Sequence, residues 1–478
     1  MEIKGILKRS FCYASAMLAG AVTAYAQTSG KPNIIHIMAD DVGYDDIGIF
    51  GAKDIKTPNI DALAKKGKVF TNFYAPHGTC TPTRAAVLTG RYAPRVNDRQ
   101  GLQVLFPTAN TGLDPKEITV TELLQKEGYA TALYGKWHLG HLPQYLPTSQ
   151  GFDLFLGIPY PNDHGPERNA GQGLKEFPPI PLIRGKEPIM ACDNNDLGEL
   201  PQKFQREACR FIRDKAKTGQ PFYLQYSNIE THTPWYVPKG FEGRSQAGPY
   251  GDAVEFLDGT VGAIMRTVRQ MGIEDNTLIV FSSDNGPLVK RYPELEQCYG
   301  TAASVDTSRK HILRGGKYQS RYDGGTRVAC VMVWPGKIPE NTVSDEVIAG
   351  FDFFTTFAKM GGAEIPNDRI IDGRDIRPLM KGEQGAKSPH EVFFGYEAKG
   401  RLMSVRKGNW KLAIPNHGSY GIGRLKEYQL FNIKEDIGEK NNVIENHPKI
   451  VKELKRLAKE ANKAIKEDKP MPLSVQAM

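Results

Sequence analysis

Four stretches of this chain run apolar and then stop on reactive side chains. NIIHIMADD ends in Asp40 and Asp41, ATALYGKWH in Lys136 and His138, PFYLQYSNIETH in His232, and TLIVFSSDN in Asp284 and Asn285. Each apolar run reads as a buried strand, and open parallel sheets bind ligands beyond the carboxyl ends of their strands. As parallel neighbours, the four would bring their last residues to one edge. Asp40, Asp41 and Asp284 supply three carboxylates and Asn285 an amide oxygen, a set suited to a hard divalent cation. Without a cation the carboxylates repel, and at least one pKa rises. Calcium accepts irregular oxygen cages more readily than magnesium, so the expected metal is one Ca2+. Taken singly, an Asp-Asp pair after a strand also reads as a helix cap, and SDNG as a plain turn. Recurrence at equivalent strand ends favours a site. Lys136, His138 and His232 add cationic and proton-donating groups, which makes a pocket for a group with several anionic oxygens.

The stretch HGTCTPTRAAVLTGR at 77–91 adds a cysteine. Pro82 fits a first helical turn, so Cys80 stands at a helix N-terminus with Arg84 one turn on. Dipole and arginine together favour a thiolate there. A buried structural cysteine is the plainer alternative. A cysteine hydrolase with His138 or His232 as base is another, although three nearby carboxylates oppose a thiolate.

The elements that must position these groups are legible in outline. The chain has 478 residues, 40% hydrophobic and 24% charged, enough for one large domain and a smaller one. Residues 1–26 read as a signal peptide, with Lys4, Lys8 and Arg9 before the apolar SAMLAGAVTA and a small-x-small site at Ala24-Tyr25-Ala26. The run is short for a membrane anchor, so an exported chain without stable membrane insertion is expected, periplasmic or secreted. Of six cysteines, Cys12 lies in this leader; the spacing of Cys80, Cys192, Cys209, Cys298 and Cys330 fits no disulfide or zinc framework. The formal charge of +8 suits an anionic substrate, and no motif for nucleic acid is present. Strands alternate with helices such as TPNIDALAKKGKVF (capped by Thr57), TVTELLQKEGY (capped by Thr121), QKFQREACRFIRDKAKTG and DAVEFLDGTVGAIMRTVRQMG. The expected fold is α/β, a large mixed, mostly parallel sheet flanked by helices over 27–385. The Pro-, Gly- and Asn-rich stretch 139–200 is expected as loops over the active face. Antiparallel strands with turns near Gly400 and Gly408, then a charged helix, suggest a smaller unit at 386–478.

Cysteine, proline two residues on, arginine four on and the trailing LTGR make CTPTRAAVLTGR resemble the sulfatase signature. The resemblance extends through IIHIMADDVGYDDIG, YGKWHLG, THTPW, FSSDNGP, GGKYQSRYDGGTRVACVMVWPG and YQLFNIKEDIGEKNNV, over roughly residues 31–440. GFDLFLGIPYPNDHGP is most similar to the arylsulfatase A branch. The resemblance implies an alkaline-phosphatase-like fold and a formylglycine made from Cys80 by a maturing enzyme. It implies a metal site of Asp40, Asp41, residue 80, Asp284 and Asn285, and catalytic roles for Cys80, Arg84, Lys136, His138, His232 and Lys317. In that scheme the hydrated aldehyde attacks sulfur with help from Asp284, His232 protonates the departing oxygen, and His138 assists release of sulfate. Arg84, Lys136 and Lys317 hold the developing charge.

Departures from the family pattern bear on the substrate side. Five residues separate Lys317 from Asp323, so Arg321 could share the role of Lys317. Pro161 stands where that branch often has serine, Asp163 and His164 are candidate substrate contacts, and Leu288 replaces a common acid. A sulfated saccharide is the expected substrate. A phosphodiesterase or phosphonate hydrolase, and a silent glycan-binding protein with a free Cys80, are the alternatives.

Overall fold

The run NIIHIMA carries no polar alternation because its strand, β1 (Asn33–Ala39), is covered on both faces. Ile35 and Ile37 join one core while Ile34 and Met38 join the other, as the two-residue period of a strand requires. The computed structural model describes residues 30–169, 176–305, 309–397, 400–416 and 423–472; the leader expected at 1–26, with Cys12, lies outside them.

Eleven further strands build the main body: β2 (Lys68–Phe70), β3 (Phe73–Tyr74), β4 (Ala130–Lys136), β5 (Leu154–Ile158), β6 (Ile180–Arg184), β7 (Glu187–Cys192), β8 (Phe222–Ser227), β9 (Thr277–Ser283), β10 (Cys330–Val333), β11 (Thr342–Ser344) and β12 (Ile348–Ala349). The C-terminal part adds β13 (Val392–Glu397), β14 (Arg401–Lys407), β15 (Trp410–Ala413) and β16 (Gln429–Asn432). The helices are α1 (Pro58–Lys65), α2 (Cys80–Thr89), α3 (Val120–Lys126), α4 (Asn194–Thr218), α5 (Gly248–Gln270), α6 (Pro293–Tyr299), α7 (Asp323–Thr326), α8 (Asp352–Gly361), α9 (Arg377–Lys381) and α10 (Pro448–Glu467).

The large sheet has the order β11-β2-β10-β9-β1-β8-β4-β5-β6-β7. Its centre, β9-β1-β8-β4-β5, is parallel throughout, whereas β10, β6 and β7 pair antiparallel. The expected mixed, mostly parallel architecture is therefore the observed one. Phe204 and Phe211 of α4 and Val254 and Leu257 of α5 cover one face; Leu124 of α3 and Phe353 and Phe357 of α8 cover the other. β13 to β16 form a separate antiparallel sheet, and α10 packs Leu454 and Leu457 onto it.

Two local expectations change. The stretch 139–200 is not only loop: it carries β5, the hairpin β6–β7 and the start of α4. The cap of α3 is Thr119 rather than Thr121. Thr119 Oγ1 accepts from the Glu122 amide at 3.2 Å, while Glu122 Oε2 accepts from the Thr119 amide at 2.8 Å, a reciprocal capping box. The cysteines Cys80, Cys192, Cys209, Cys298 and Cys330 are all free thiols.

One buried ion cluster ties the small sheet to α7 and to β3, which pairs with β12 outside the large sheet. Asp323, at the start of α7, accepts from Lys411 Nζ of β15 at 2.6 Å and from Tyr74 of β3 at 3.0 Å, and Arg327 lies 3.3 Å away. Glu439 stands 3.1 Å from the same lysine and accepts from the Asp323 amide. Burial alone would raise the Asp323 carboxyl, but Lys411, Arg327 and Arg406 hold it well below the carboxylate range. Burial pushes Glu439 up to about 7. A depressed acid stabilises the fold at pH above its unfolded value, and that contribution fades as pH falls through the folded value. Removing one partner of a buried pair leaves the other charge uncompensated. Lys411→Met is expected to cost about 3 kcal/mol in urea unfolding and to move acid unfolding to higher pH; an unchanged urea midpoint would show that the cluster does not hold the units together.

Candidate active site

The carboxyl ends of β9, β1, β8 and β4 lie side by side, with Ala39 opposite Ser283 and both Met38 and Gly135 opposite Ser227. Asp40, Asp284, Lys136 and His232 thus leave the sheet on one edge. Gly135 permits the close approach of β4 to β8: a Cβ there would stand 1.7 Å from the Ser227 carbonyl oxygen. Asp41, His138 and Tyr318 adopt left-handed backbone at φ 60°, 62° and 75°. Such conformations are disfavoured for residues with side chains and persist where the surroundings fix them. Here the Asp41 amide donates to Asp284 Oδ1 at 3.3 Å and the Tyr318 amide to the Gly78 carbonyl at 2.6 Å.

The last of these bonds, with Lys317 N donating to the Pro287 carbonyl at 2.8 Å, ties the 316–318 loop to two neighbours. One is the approach to α2, the other the exit of β9. Cys80 is the first residue of α2, as expected, and Arg84 lies one turn further in.

Three carboxylates and three cations are buried together. Lys136 Nζ donates to Asp40 Oδ2 at 2.6 Å, Lys317 Nζ to Asp41 Oδ2 at 2.6 Å, and Arg84 Nη2 to Asp284 Oδ2 at 2.7 Å. Burial opposes ionisation of all three acids. At Asp40 the attraction of Lys136 and Arg84 wins and its pKa falls; Asp41 remains raised, and Asp284, facing Asp40 as well, is pushed up to about 7. The rise expected of crowded carboxylates is thus present. Two oxygens, Asp40 Oδ1 and Asn285 Oδ1, are buried with no hydrogen-bond partner among the described residues. Unpartnered hard oxygens at the edge of an acidic cluster are the ligands a divalent cation takes. Ligand atoms of Asp40, Asp41 and His232 also lie within 4.8 Å of one another. The Nε2 of His232 already accepts from Lys317 Nζ at 2.9 Å, so Asp40, Asp41, Asp284 and Asn285 fit a calcium-type oxygen site better.

Burial holds His138 and His232 toward the neutral form, and their tautomers follow from their partners. His138 Nε2 donates to the Leu105 carbonyl at 2.9 Å, which leaves Nδ1 to accept from Cys80 Sγ at 3.0 Å. His232 Nδ1 donates to the Thr233 carbonyl at 2.6 Å, leaving Nε2 toward Lys317. Burial, then Lys136, holds His138 well below its usual range; burial, then Lys317, does the same to His232. The surroundings of Cys80 oppose the thiolate that helix dipole and arginine would favour, as the nearby carboxylates led one to expect. Burial raises the thiol pKa, and Asp40 and Asp284 add to the rise against Lys136 and Lys317. Cys80 as encoded is a poor nucleophile.

Above this layer opens a pocket of about 540 Å³ lined by Cys80, His138, His232 and Lys317 at its base. Asp163 and His164 line it too, as do Pro161 and Tyr318. Arg321 does not: its guanidinium turns to the Gly423 carbonyl, at 2.9 Å, and to Asn416 beyond the end of β15. Lys317 therefore keeps the position alone. Leu288 faces a separate small cavity beside Trp235. Sequence reasoning missed Phe106, Arg168, Glu397 and Arg401, which complete the walls. Phe106 stacks on His164 with centroids 4.6 Å apart, and Arg401 pairs with Glu397 at 2.8 Å. Nothing local in the sequence marks these four; docking of the β13–β14 hairpin brings in two of them.

Residues 32–363 match the family model described as Sulfatase, and residues 317–467 match the model described as N-sulphoglucosamine sulphohydrolase, C-terminal. The chain is 35% identical to arylsulfatase A of Bos taurus over 473 residues, covering 92% of this chain and 89% of that protein. It is 35% identical to N-acetylgalactosamine-6-sulfatase of Canis lupus familiaris over 412 residues, covering 83% of this chain and 74% of that protein. The solved structure of the PsFucS1 sulfatase from Pseudoalteromonas sp. superposes with a TM-score of 0.79 at 27% identity, over 93% of this chain and 92% of that one. The buried charge cluster and Cys80 at the mouth of α2 thus sit in a known setting: the chain belongs to the sulfatase family of the alkaline-phosphatase superfamily and is a sulfate ester hydrolase.

Proposed function

We propose that this sulfatase is exported, uses Ca2+ and a formylglycine made from Cys80 by a maturing enzyme, and frees sulfate from a sulfated saccharide. The convergence of Cys80, Lys317 and His232 at the base of one pocket, against the acidic cluster, carries this reading. Once hydrated, an aldehyde at position 80 would offer a hydroxyl as the nucleophile that the buried thiol does not supply, and a cation held by Asp40, Asp41, Asp284 and Asn285 would polarise the sulfate oxygens.

The chain's own residues do the rest. Lys317 lines the pocket base and would meet a seated sulfate directly, while buried Lys136 and Arg84 add positive charge behind it; all three are fixed beforehand by their carboxylate partners. The Nε2 lone pair of His232 faces the Lys317 ammonium, so the proton for the departing ester oxygen comes from this Lys–His pair rather than from an isolated histidine. His138, with Nδ1 toward position 80, is placed to take a proton from that residue.

The pocket wall beside His138 and His232 favours a sugar: Asp163 Oδ1 lies 4.0 Å from His232 Nδ1, and the His164 ring centroid 5.7 Å from that of His138. Asp163 Oδ1 and His164 Nδ1 are buried and have no hydrogen-bond partner among the described residues. A saccharide hydroxyl donates to one and accepts from or donates to the other, which a plain aryl ring does not. Phe106 beside them offers an apolar platform. The dog relative's name specifies a sulfated amino sugar as substrate, in line with this reading. With the proposed division near residue 386, Glu397 and Arg401, and so part of the pocket wall, would belong to the C-terminal unit.

Protein produced with the maturing enzyme is expected to carry an aldehyde at position 80 by mass spectrometry and to release sulfate from defined sulfated saccharides, while Cys80→Ala releases none. Sulfate release at full rate from a chain whose Cys80 remains a thiol would sink the reading. Lys317→Ala and His232→Ala are each expected to lower kcat by about 10² or more. Because the pair acts as a unit, the double variant should be little slower than either single one; multiplicative losses would separate their roles. Calcium at a hundredfold excess over its Kd should stabilise the apo-protein by about 2.7 kcal/mol in thermal unfolding. Asp41→Asn should weaken that effect, and a chelator should remove it.

A further inference from the structure

A second charged feature lies outside the pocket. Helix α10 carries seven basic residues and three acidic ones, a net +4 out of the chain's formal +8. At about 100° per residue, Lys449, Lys452, Lys455, Lys459, Lys463 and Lys466 fall within an arc of about 120° along the whole helix, about 30 Å long. Glu453, Glu460 and Glu467 fall on one flank of that arc, and Leu454, Leu457, Ala461 and Ile465 on the opposite pole, buried. The six lysines are solvent-facing. Lys463 has a carboxylate within 4 Å, at Glu467, and Lys455 lies 4.1 Å from the Tyr428 ring centroid. Lys449, Lys452, Lys459 and Lys466 have no acidic partner within 4 Å among the described residues.

A ladder of like charges on one helix face repels itself and gains from a partner of opposite charge with a matching linear spread. Its apolar pole is already spent on β14 and β15, so α10 has no face to bury in a bilayer. The ladder also has a direction. At its C-terminal end, Arg95 donates to Asp468 at 3.0 Å and to the Lys469 carbonyl at 2.5 Å. The segment that follows Arg95 supplies Gln103, Val104 and Phe106 to the pocket wall. The hairpin of β14, on which α10 packs, supplies Arg401. The helix therefore ends against the two elements that frame the pocket mouth.

We infer that the lysine face of α10 is a docking track for a linear polysulfated glycan, holding the polymer while one residue of it enters the pocket. The inference rests on the saccharide reading above and extends it from a sulfated unit to a sulfated chain.

The test uses the full-length Cys80→Ala protein, so that binding and sulfate release fail independently. Its affinity for dextran sulfate is measured against salt, beside Lys452/Lys459/Lys463→Ala in the same background. A control, Lys126/Lys217/Lys337→Ala, removes the same charge elsewhere on the exposed surface. Loss of the ladder lysines is expected to weaken binding at least about tenfold at low salt and to reduce the slope of log K against log salt by about 2. The control should match the parent. In the matured enzyme, with formylglycine at position 80, the ladder variant should lower the ratio of kcat/KM on a sulfated polymer to that on its monosaccharide unit. Equal losses in ladder and control variants would overturn the inference. So would ladder-dependent binding to phosphatidylserine vesicles tighter than to dextran sulfate, which would assign the face to a membrane surface instead.

Discussion

Burying like charges at one point is the constraint on which this structure turns. Asp40, Asp41 and Asp284 stand together with almost no exposure, where ionised acids are costly. They are tolerable because Lys136, Lys317 and Arg84 are buried with them, one cation to each carboxylate. The same pairing fixes the cations before any substrate arrives, so little rearrangement is needed when a sulfate group meets them. Stability and chemistry thus draw on one arrangement. The remaining mismatch, a raised Asp284 and two oxygens without partners, is what a divalent cation corrects.

That arrangement was legible in the sequence because the central strands are covered on both faces and so read as unbroken apolar runs. Four such runs with reactive ends sufficed to place Asp40, Asp41, Lys136, His138, His232, Asp284 and Asn285 together, since β9, β1, β8 and β4 are parallel neighbours. The edge was harder. β6 and β7 are short, carry Pro181 and Pro188, and pair antiparallel at the sheet margin, where proline is tolerated. Their composition reads as loop. The α3 cap is a different kind of miss: Glu122 three residues after Thr119 was the available signal.

The chemistry of Cys80 was the least legible part. Its position at the mouth of α2 was correctly expected, but a helix dipole and an arginine argue for a thiolate only where solvent is available. At 2% exposure, desolvation outweighs both. Burial of this depth is a property of tertiary packing and has no local code. The same holds for Phe106, Arg168, Glu397 and Arg401, which reach the pocket from segments far apart in the chain.

The pocket wall explains why the small sheet must be held in register with the large one. Glu397 ends β13 and Arg401 begins β14, so a shift of that hairpin moves the wall. Three ties oppose such a shift. The Asp323–Lys411–Glu439 cluster joins α7 to β15, Ser404 Oγ donates to the Ser320 carbonyl at 2.8 Å, and His77 bridges to Tyr396 beside Glu397. All three lie within a few residues of Cys80 or Lys317 on the catalytic side. Packing of the small sheet is therefore coupled to the same loop that carries Lys317 and touches the Gly78 carbonyl. A substitution in the C-terminal sheet that loosened this contact would be felt first in the shape of the pocket wall at Glu397 and Arg401, and only then in the groups that act on sulfate.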